Sequence, residues 1–169
     1  SKKIKMFCRS CNSSKLNLIV DLGFSPPSNA FLEKHCLEEN EIYFPLKIFV
    51  CSNCWLVQTL DVVDHKLLFN SNYPYFSSFS KTFLDHCQNY TKKMINRFDL
   101  NESSNLLEIA SNDGYLQDQF RSSGLNLLGI EPTSSAANSA ISKGHKVMKK
   151  FFGTKLAKNF RDKSIFFDL

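Results

Sequence analysis

No stretch of this 169-residue chain approaches the roughly 20 consecutive apolar residues that a membrane-spanning helix needs, so no membrane partner is expected. The opening Ser-Lys-Lys is not followed by the apolar core of a signal peptide, which makes the cytoplasm the expected location. Internal repeats and low-complexity segments are also missing. The four histidines stand apart from one another and from carboxylates at any spacing that would suggest a shared metal or a general base. His35, His65 and His145 therefore receive no role, and His86, beside an apolar helix face, reads as structural. The phosphate-binding fingerprint G-x-G-x-x-G is absent, which disfavours a nicotinamide dinucleotide. The net charge of +5 is mild, and its excess lies mostly between Lys143 and Lys163, interleaved with apolar residues at helical spacing. That pattern is a solvated helix face rather than a nucleic-acid stripe, and no nucleic-acid partner is expected.

What is present begins with cysteine. Cys8-Arg-Ser-Cys11 and Cys51-Ser-Asn-Cys54 are both C-x-x-C, the spacing that lets one tight turn offer two thiolates to a single tetrahedral Zn²⁺. Each pair follows a short apolar stretch, Ile4 to Phe7 and Leu46 to Val50, as knuckles follow strands. Six cysteines in a cytoplasmic chain argue for metal or free thiols over disulfides. A closed set of four sulfurs leaves no open coordination position, so the zinc would be structural. Cys36 and Cys87 have no partner spacing and read as small buried apolar residues. The stretch between the pairs exceeds the 15–20 residues of a compact zinc ribbon and must carry structure of its own. Leu16 to Leu22 is expected as a strand, Gly23-Phe24-Ser25-Pro26-Pro27-Ser28-Asn29 as neither helix nor mid-sheet, and Ala30 to Cys36 as a short helix. Trp55 to Leu60 extends the second knuckle as a strand.

Further on, Asp64 to Phe69 is a short helical stretch and Tyr73-Pro74-Tyr75-Phe76-Ser77-Ser78 a polar-aromatic linker. Phe79, Phe83, Cys87, Tyr90, Met94 and Phe98 then recur at helical spacing, predicting an amphipathic helix of about five turns. Turn formers from Asp99 to Ser104 close it.

The stretch 105–132 reads as strand, helix, strand. Leu106-Leu107-Glu108-Ile109-Ala110 is a short buried-strand run, and Ser111-Asn112-Asp113-Gly114 are turn and N-cap residues. Tyr115 to Ser123 is a helix stopped by Gly124, and Leu127 to Ile130 is a strand ending in Glu131-Pro132. In such a βαβ unit a ligand sits at the carboxyl ends of the strands. Glu108-x-Ala110-x-Asn112-x-Gly114 resembles the acidic E-x-G-x-G-x-G turn of S-adenosylmethionine (SAM) methyltransferases, with small residues for two glycines. SAM carries an ammonium and a sulfonium and no phosphate, so its loop wants carboxylates. This loop has Glu108 and Asp113, and no Lys or Arg stands between Asn105 and Phe120. Glu131 is placed to accept from two ribose hydroxyls. The candidate cofactor-binding residues are thus Glu108, Ala110, Ser111, Asn112, Asp113, Gly114, Glu131 and Pro132. Beyond them, Thr133 caps a helix that Gly144 ends, His145 to Phe152 is a third strand, Gly153 to Arg161 a helix and Ser164 to Leu169 a fourth strand.

Taken together the chain resembles the NDP-keto-sugar C-methyltransferase family. The residues that carry the resemblance are the two cysteine pairs, Asp21-Leu22-Gly23 with Pro27 and Asn29, Leu56-Val57-Gln58, the 73–78 segment, Leu84-Asp85-His86, Glu108 to Gly114, and Gly129-Ile-Glu-Pro132. Trp55 departs from it, where a small residue is usual. The resemblance implies an α/β chain with a zinc-ribbon-like β module at 1–62, a helical linker at 63–104 and an incomplete Rossmann-like class I methyltransferase sheet at 105–169. It implies SAM-dependent methylation of a carbon beside a sugar ketone, through an enolate made by a base, on a nucleotide-sugar substrate. Tyr75 is the candidate catalytic residue, donating to the enolate oxygen or to the sugar. The other proton-handling residues and the later strands would lie past Leu169, so the chain is expected to be an N-terminal part, inactive alone. The alternative is a non-catalytic zinc-ribbon module that binds protein or nucleic acid. The sequence leaves the sugar, the carbon, the nucleotide and the oligomeric state open.

Overall fold

The computed structural model describes residues 6–69 and 73–169. The chain divides into two compact units, residues 1–68 and 69–169. Among the described residues, no helix is long and apolar enough to cross a membrane.

The first unit is an antiparallel sheet of β1 (Leu16–Ser25), β2 (Phe44–Cys51) and β3 (Val57–Thr59), in the order β1-β2-β3. Its register starts at the metal end, where Leu16 faces Cys51, and ends with Ser25 opposite Phe44. Two irregularities, between Leu18 and Val20 and between Asp21 and Phe24, keep this edge strand bent. The second holds Gly23 at φ 77°, with its N–H donating to Asp21 Oδ1. β1 runs three residues past the expected Leu22, through Gly23, Phe24 and Ser25, which lie on the edge strand and not in mid-sheet; an edge strand tolerates the irregular register there. Asp21 faces Lys47 across the strands at 2.6 Å, and the ammonium holds its carboxyl below the usual range. The helix expected from Ala30 shrinks to a 3₁₀ turn at Lys34–Cys36, and α1 is a single turn, His65–Leu68.

The second unit begins with a 3₁₀ turn, Ser77–Phe79, and continues into α2 (Lys81–Phe98). The Ser80 side chain accepts the Phe83 N–H at its start, and Asp99, left-handed at φ 50°, ends it. The buried line of α2 is Cys87, Thr91 and Met94. Phe79, Phe83, Tyr90 and Phe98 of the expected stripe are exposed, because the helix meets its unit along a seam narrower than the periodic pattern. Met94 shares a core with Leu100, Leu106, Phe120 and Leu125, so the helix read as a linker packs as a wall of this unit.

Three parallel strands follow: β4 (Asn105–Ile109), β5 (Asn126–Ile130) and β6 (Val147–Met148), ordered β4-β5-β6. They are linked by α3 (Tyr115–Phe120) and α4 (Ser134–Ser142), and α5 (Thr154–Asp162) comes after β6. Two strand expectations need correcting. His145–Phe152 pairs only at Val147 and Met148, since Lys149 onward turns to solvent. Ser164–Leu169 is not a regular strand: Asp168 N–H donates to the Asn105 carbonyl and Leu107 N–H to the Leu169 carbonyl, two bonds on the side of β4 away from β5. The chain is thus α/β, with one antiparallel and one parallel three-stranded sheet.

Candidate functional site

In the first unit the four knuckle cysteines converge. Cys8 and Cys54 sulfurs lie 3.5 Å apart, Cys11 and Cys51 sulfurs 3.6 Å, and all four fall within 4.8 Å of one another. A tetrahedral zinc with Zn–S near 2.3 Å would set them about 3.8 Å apart. The two turns match bond for bond. Asn12 N–H donates to the Cys8 carbonyl and Cys8 N–H to Ser13; Trp55 N–H donates to the Cys51 carbonyl and Cys51 N–H to Leu56. The residue after each pair, Asn12 or Trp55, is left-handed at φ 58° and 63°. Cys8 and Cys51 are buried, Cys54 half-buried and Cys11 exposed.

The thiols are electrically uneven. The Cys11 backbone N–H, ahead of burial, lowers Cys8. The Asn53 side chain, then the Ser13 backbone, bring Cys11 down to about 6. At Cys54 the Leu56 backbone pulls the other way, but burial and the three neighbouring sulfurs prevail and push it up to about 11. Four thiolates this close need a dication between them, and the donor set, spacing and closed shell fit zinc. Gln58 anchors the first turn from β3: its Oε1 accepts the Arg9 N–H and its Nε2 donates to the Phe7 carbonyl, bracketing Cys8.

The second site lies at the carboxyl ends of β4 and β5. Ala110, Asn112 and Gly114 are all left-handed, at φ 59°, 48° and 81°. That is the backbone for which a turn would select glycine, and Ala110 adopts it at a cost of roughly 1 kcal/mol. Ser111 is fully buried against Gly129, where a Cβ would stand 2.4 Å from the serine oxygen. The ring of His145 lies over Gly114, 2.6 Å from where a Cβ would be. His145 Nε2 also bonds Asp118 Oδ1 at 2.8 Å, a packing role the sequence reading did not give it.

Three carboxylates gather around this turn. Glu108 is buried, its Oε2 has no partner, and burial, then Asp113 and Glu131, push its carboxyl up to about 8. Asp113 is fully buried, and Lys143, arriving from the end of α4, bonds both its carbonyl and its Oδ2. The turn contains no basic residue, but the fold supplies one to Asp113. Glu131 Oε2 accepts the Asn112 N–H at 2.9 Å and Oε1 the Thr133 N–H at 2.7 Å, with the Thr133 hydroxyl on Oε1 as well. Of the about four acceptor sites of a carboxylate, roughly one stays open.

A cavity of about 300 Å³ opens here. Ala110, Asn112, Glu131 and Pro132 form one side of it, and Phe69, Tyr73, Tyr75 and Ser77 another. Tyr75, half exposed, is therefore brought to the turn, whereas Glu108 and Asp113 lie behind it rather than on its wall. Burial, then Glu108, pushes the phenol of Tyr115, on the first turn of α3, up to about 12. The parts played by Thr133 and Lys143 were not visible in sequence, and Asn112, a candidate from its place in the motif, adds side-chain bonds to Tyr75 and Ser77 that spacing does not show.

Comparison with known proteins bears on both sites. A family model described as "Putative zinc binding domain" matches residues 8–69. The C-methyltransferase NovU of Streptomyces niveus is 27% identical over 137 residues, which are 81% of this chain and 32% of that protein. The chain thus spans about a third of the length of the curated relative it matches. A solved structure titled "Crystal structure of MccD protein" aligns at 23% identity over 38% of this chain and 32% of that one, with a TM-score of 0.32.

Proposed function

We propose, from the premise that this chain is like the N-terminal part of a C-methyltransferase, that its second unit is a Rossmann-like SAM-binding domain serving C-methylation of a nucleotide-linked keto-sugar. One observation carries the cofactor reading. Glu108 and Glu131 stand at the ends of adjacent parallel strands without a basic partner among the described contacts, and Glu108 Oε2 is buried with none at all. Ionising Glu108 beside Glu131 is costly without a positive charge nearby, so the turn favours a cationic ligand; Lys150 lines the same cavity.

When bound, SAM supplies an electrophilic methyl on a sulfonium. The residues of this chain do the rest of the holding. Glu108, behind the cavity wall, acts on the ammonium through its charge and not by lining the cavity. The remaining acceptor site of Glu131 takes a ribose hydroxyl, and the Thr133 hydroxyl is the bond that can rotate away to admit a second. Ala110, Ser111, Asn112, Asp113, Gly114 and Pro132 shape the turn, through backbone that leaves little room for side chains. Tyr75, on the cavity wall, donates to the sugar or to the oxygen that becomes negative when the proton beside the ketone is removed. The zinc is structural and takes no part in the chemistry.

The α-proton tests the substrate and the tyrosine together. A keto-sugar nucleotide incubated in D₂O with the whole enzyme, without SAM, should exchange its α-proton, and Tyr75→Phe should slow that exchange about tenfold or more. Exchange unchanged by Tyr75→Phe would return the tyrosine to a packing role, and no exchange at all would remove the enolate.

A further inference from the structure

The side chain of Asn112 ties the segment 73–79 to the turn 110–114. Asn112 Nδ2 donates to the Tyr75 carbonyl at 3.1 Å, and its Oδ1 accepts the Ser77 N–H at 2.9 Å. A carbonyl on one side of Phe76 and an N–H on the other are the two groups that a neighbouring parallel strand would engage. The Asn112 amide thus stands in for the peptide group of a strand that is not there. Asn112 is 8% exposed, so these bonds are made away from solvent, where leaving either unmade is costly. A second tether, from Ser135 Oγ to the Tyr73 carbonyl at 3.0 Å, fastens the start of the segment. Neither bond uses the Asn112 backbone, whose N–H is committed to Glu131.

We propose that Asn112 is a positioning residue for Tyr75, holding the 73–79 strap as one wall of the cavity and coupling its order to occupancy of that cavity. Tyr73, Tyr75 and Ser77 face the same space as Glu131 and Pro132. An occupant there packs against the strap and the turn at once. Whatever steadies the strap then strengthens binding, and binding steadies the strap, by reciprocity of linked equilibria. The occupancy part rests on the cofactor reading above; the strap part does not.

Asn112→Gly is the clean variant. Glycine accepts φ 48° without strain and keeps the N–H bonded to Glu131, so the turn survives and only the two strap bonds go. Ser77→Pro removes one of the two bonds, the Ser77 N–H to Asn112 Oδ1, from the other end. Ser77 opens a 3₁₀ turn, and the preceding Phe76 is extended at φ −114°, ψ 118°, a conformation compatible with a following proline. Hydrogen exchange read by mass spectrometry on the 169-residue chain should show strap amides exchanging about tenfold faster in either variant. Peptides from α2 and β4 should be unchanged, and the double variant should be no faster than Asn112→Gly alone, which already lacks both bonds. Wild-type protection of the strap in Asn112→Gly would overturn the proposal, as would loosening spread evenly over the unit. With saturating SAM, the wild-type strap should slow further, and Asn112→Gly should bind SAM several-fold more weakly. Equal SAM affinity in both would overturn the coupling. If the wild type binds no SAM, the cofactor reading fails and the exchange in the unliganded chain still decides the role of Asn112.

Discussion

Gln58 and Asn112, in separate units, make the same pair of bonds: each side-chain amide donates to the carbonyl before a central residue and accepts the N–H after it. The central residues are Cys8 and Phe76. In each case an irregular segment that must hold one geometry borrows a peptide-like partner from a side chain. Gln58 is 8% exposed, as Asn112 is, so neither bond pair has water as a ready substitute.

Gln58→Ala should therefore loosen the first knuckle. It strands the Phe7 carbonyl and the Arg9 N–H, at a cost of roughly 1–3 kcal/mol. Because metal binding in such a module is folding free energy, zinc affinity should fall about tenfold or more in competition with a chromophoric chelator. Elemental analysis of protein purified without added metal should give one zinc per chain, and chelation should unfold residues 1–68 while the second unit keeps its structure. A folded first unit with almost no zinc would contradict this.

Trp55 carries an avoidable strain. It holds φ 63° while its side chain is 74% exposed, so the ring contributes little burial to offset a conformation that costs a bulky residue roughly 1 kcal/mol. Asn12 fills the matching place with a residue suited to it. Trp55→Asn should stabilise the zinc-loaded unit by about 0.5–1 kcal/mol in urea denaturation. A loss of stability would mean that the ring packs on something in solution.

Glu108 should make stability and binding depend on pH. Its carboxyl titrates near 4.5 in the unfolded chain and at about 8 in the folded one, so between these values the folded state holds the extra proton. The stability from that proton is fully present below the lower value and is lost as pH rises toward 8. Glu108→Gln should flatten this decline. A cation seated beside Glu108 reverses the preference, so SAM binding near pH 7 should release close to one proton, seen as a binding enthalpy that tracks the buffer's ionisation enthalpy. Wild type and Glu108→Gln releasing the same number would remove Glu108 from the site.

The sequence carried the elements with strong local signals. The paired C-x-x-C spacing, the five-turn periodicity of α2 and the turn chemistry from Ser111 to Gly114 need only neighbouring residues to be read, and the structure has each of them. It could not show that β1 continues through Gly23, because a bulge is settled by the partner strand. Nor could it show that the Phe79–Phe98 stripe is mostly exposed, since periodicity says which residues share a face and not how wide the contact is. The Lys143–Asp113 pair and the Asn112 bonds span 30 or more positions and arise only from the fold. Thr133 stands at the N-cap position of α4 but makes no side-chain cap bond, because its hydroxyl donates to Glu131 instead, a bond whose cue is the two-residue separation.

Calorimetric titration of the 169-residue chain tests the proposed SAM site most directly. SAM should bind and NADH should not, and Glu131→Ala should weaken SAM by about tenfold or more, the loss of charge-assisted bonds worth roughly 1–3 kcal/mol. Binding of NADH without SAM, or SAM affinity indifferent to Glu131, would contradict it.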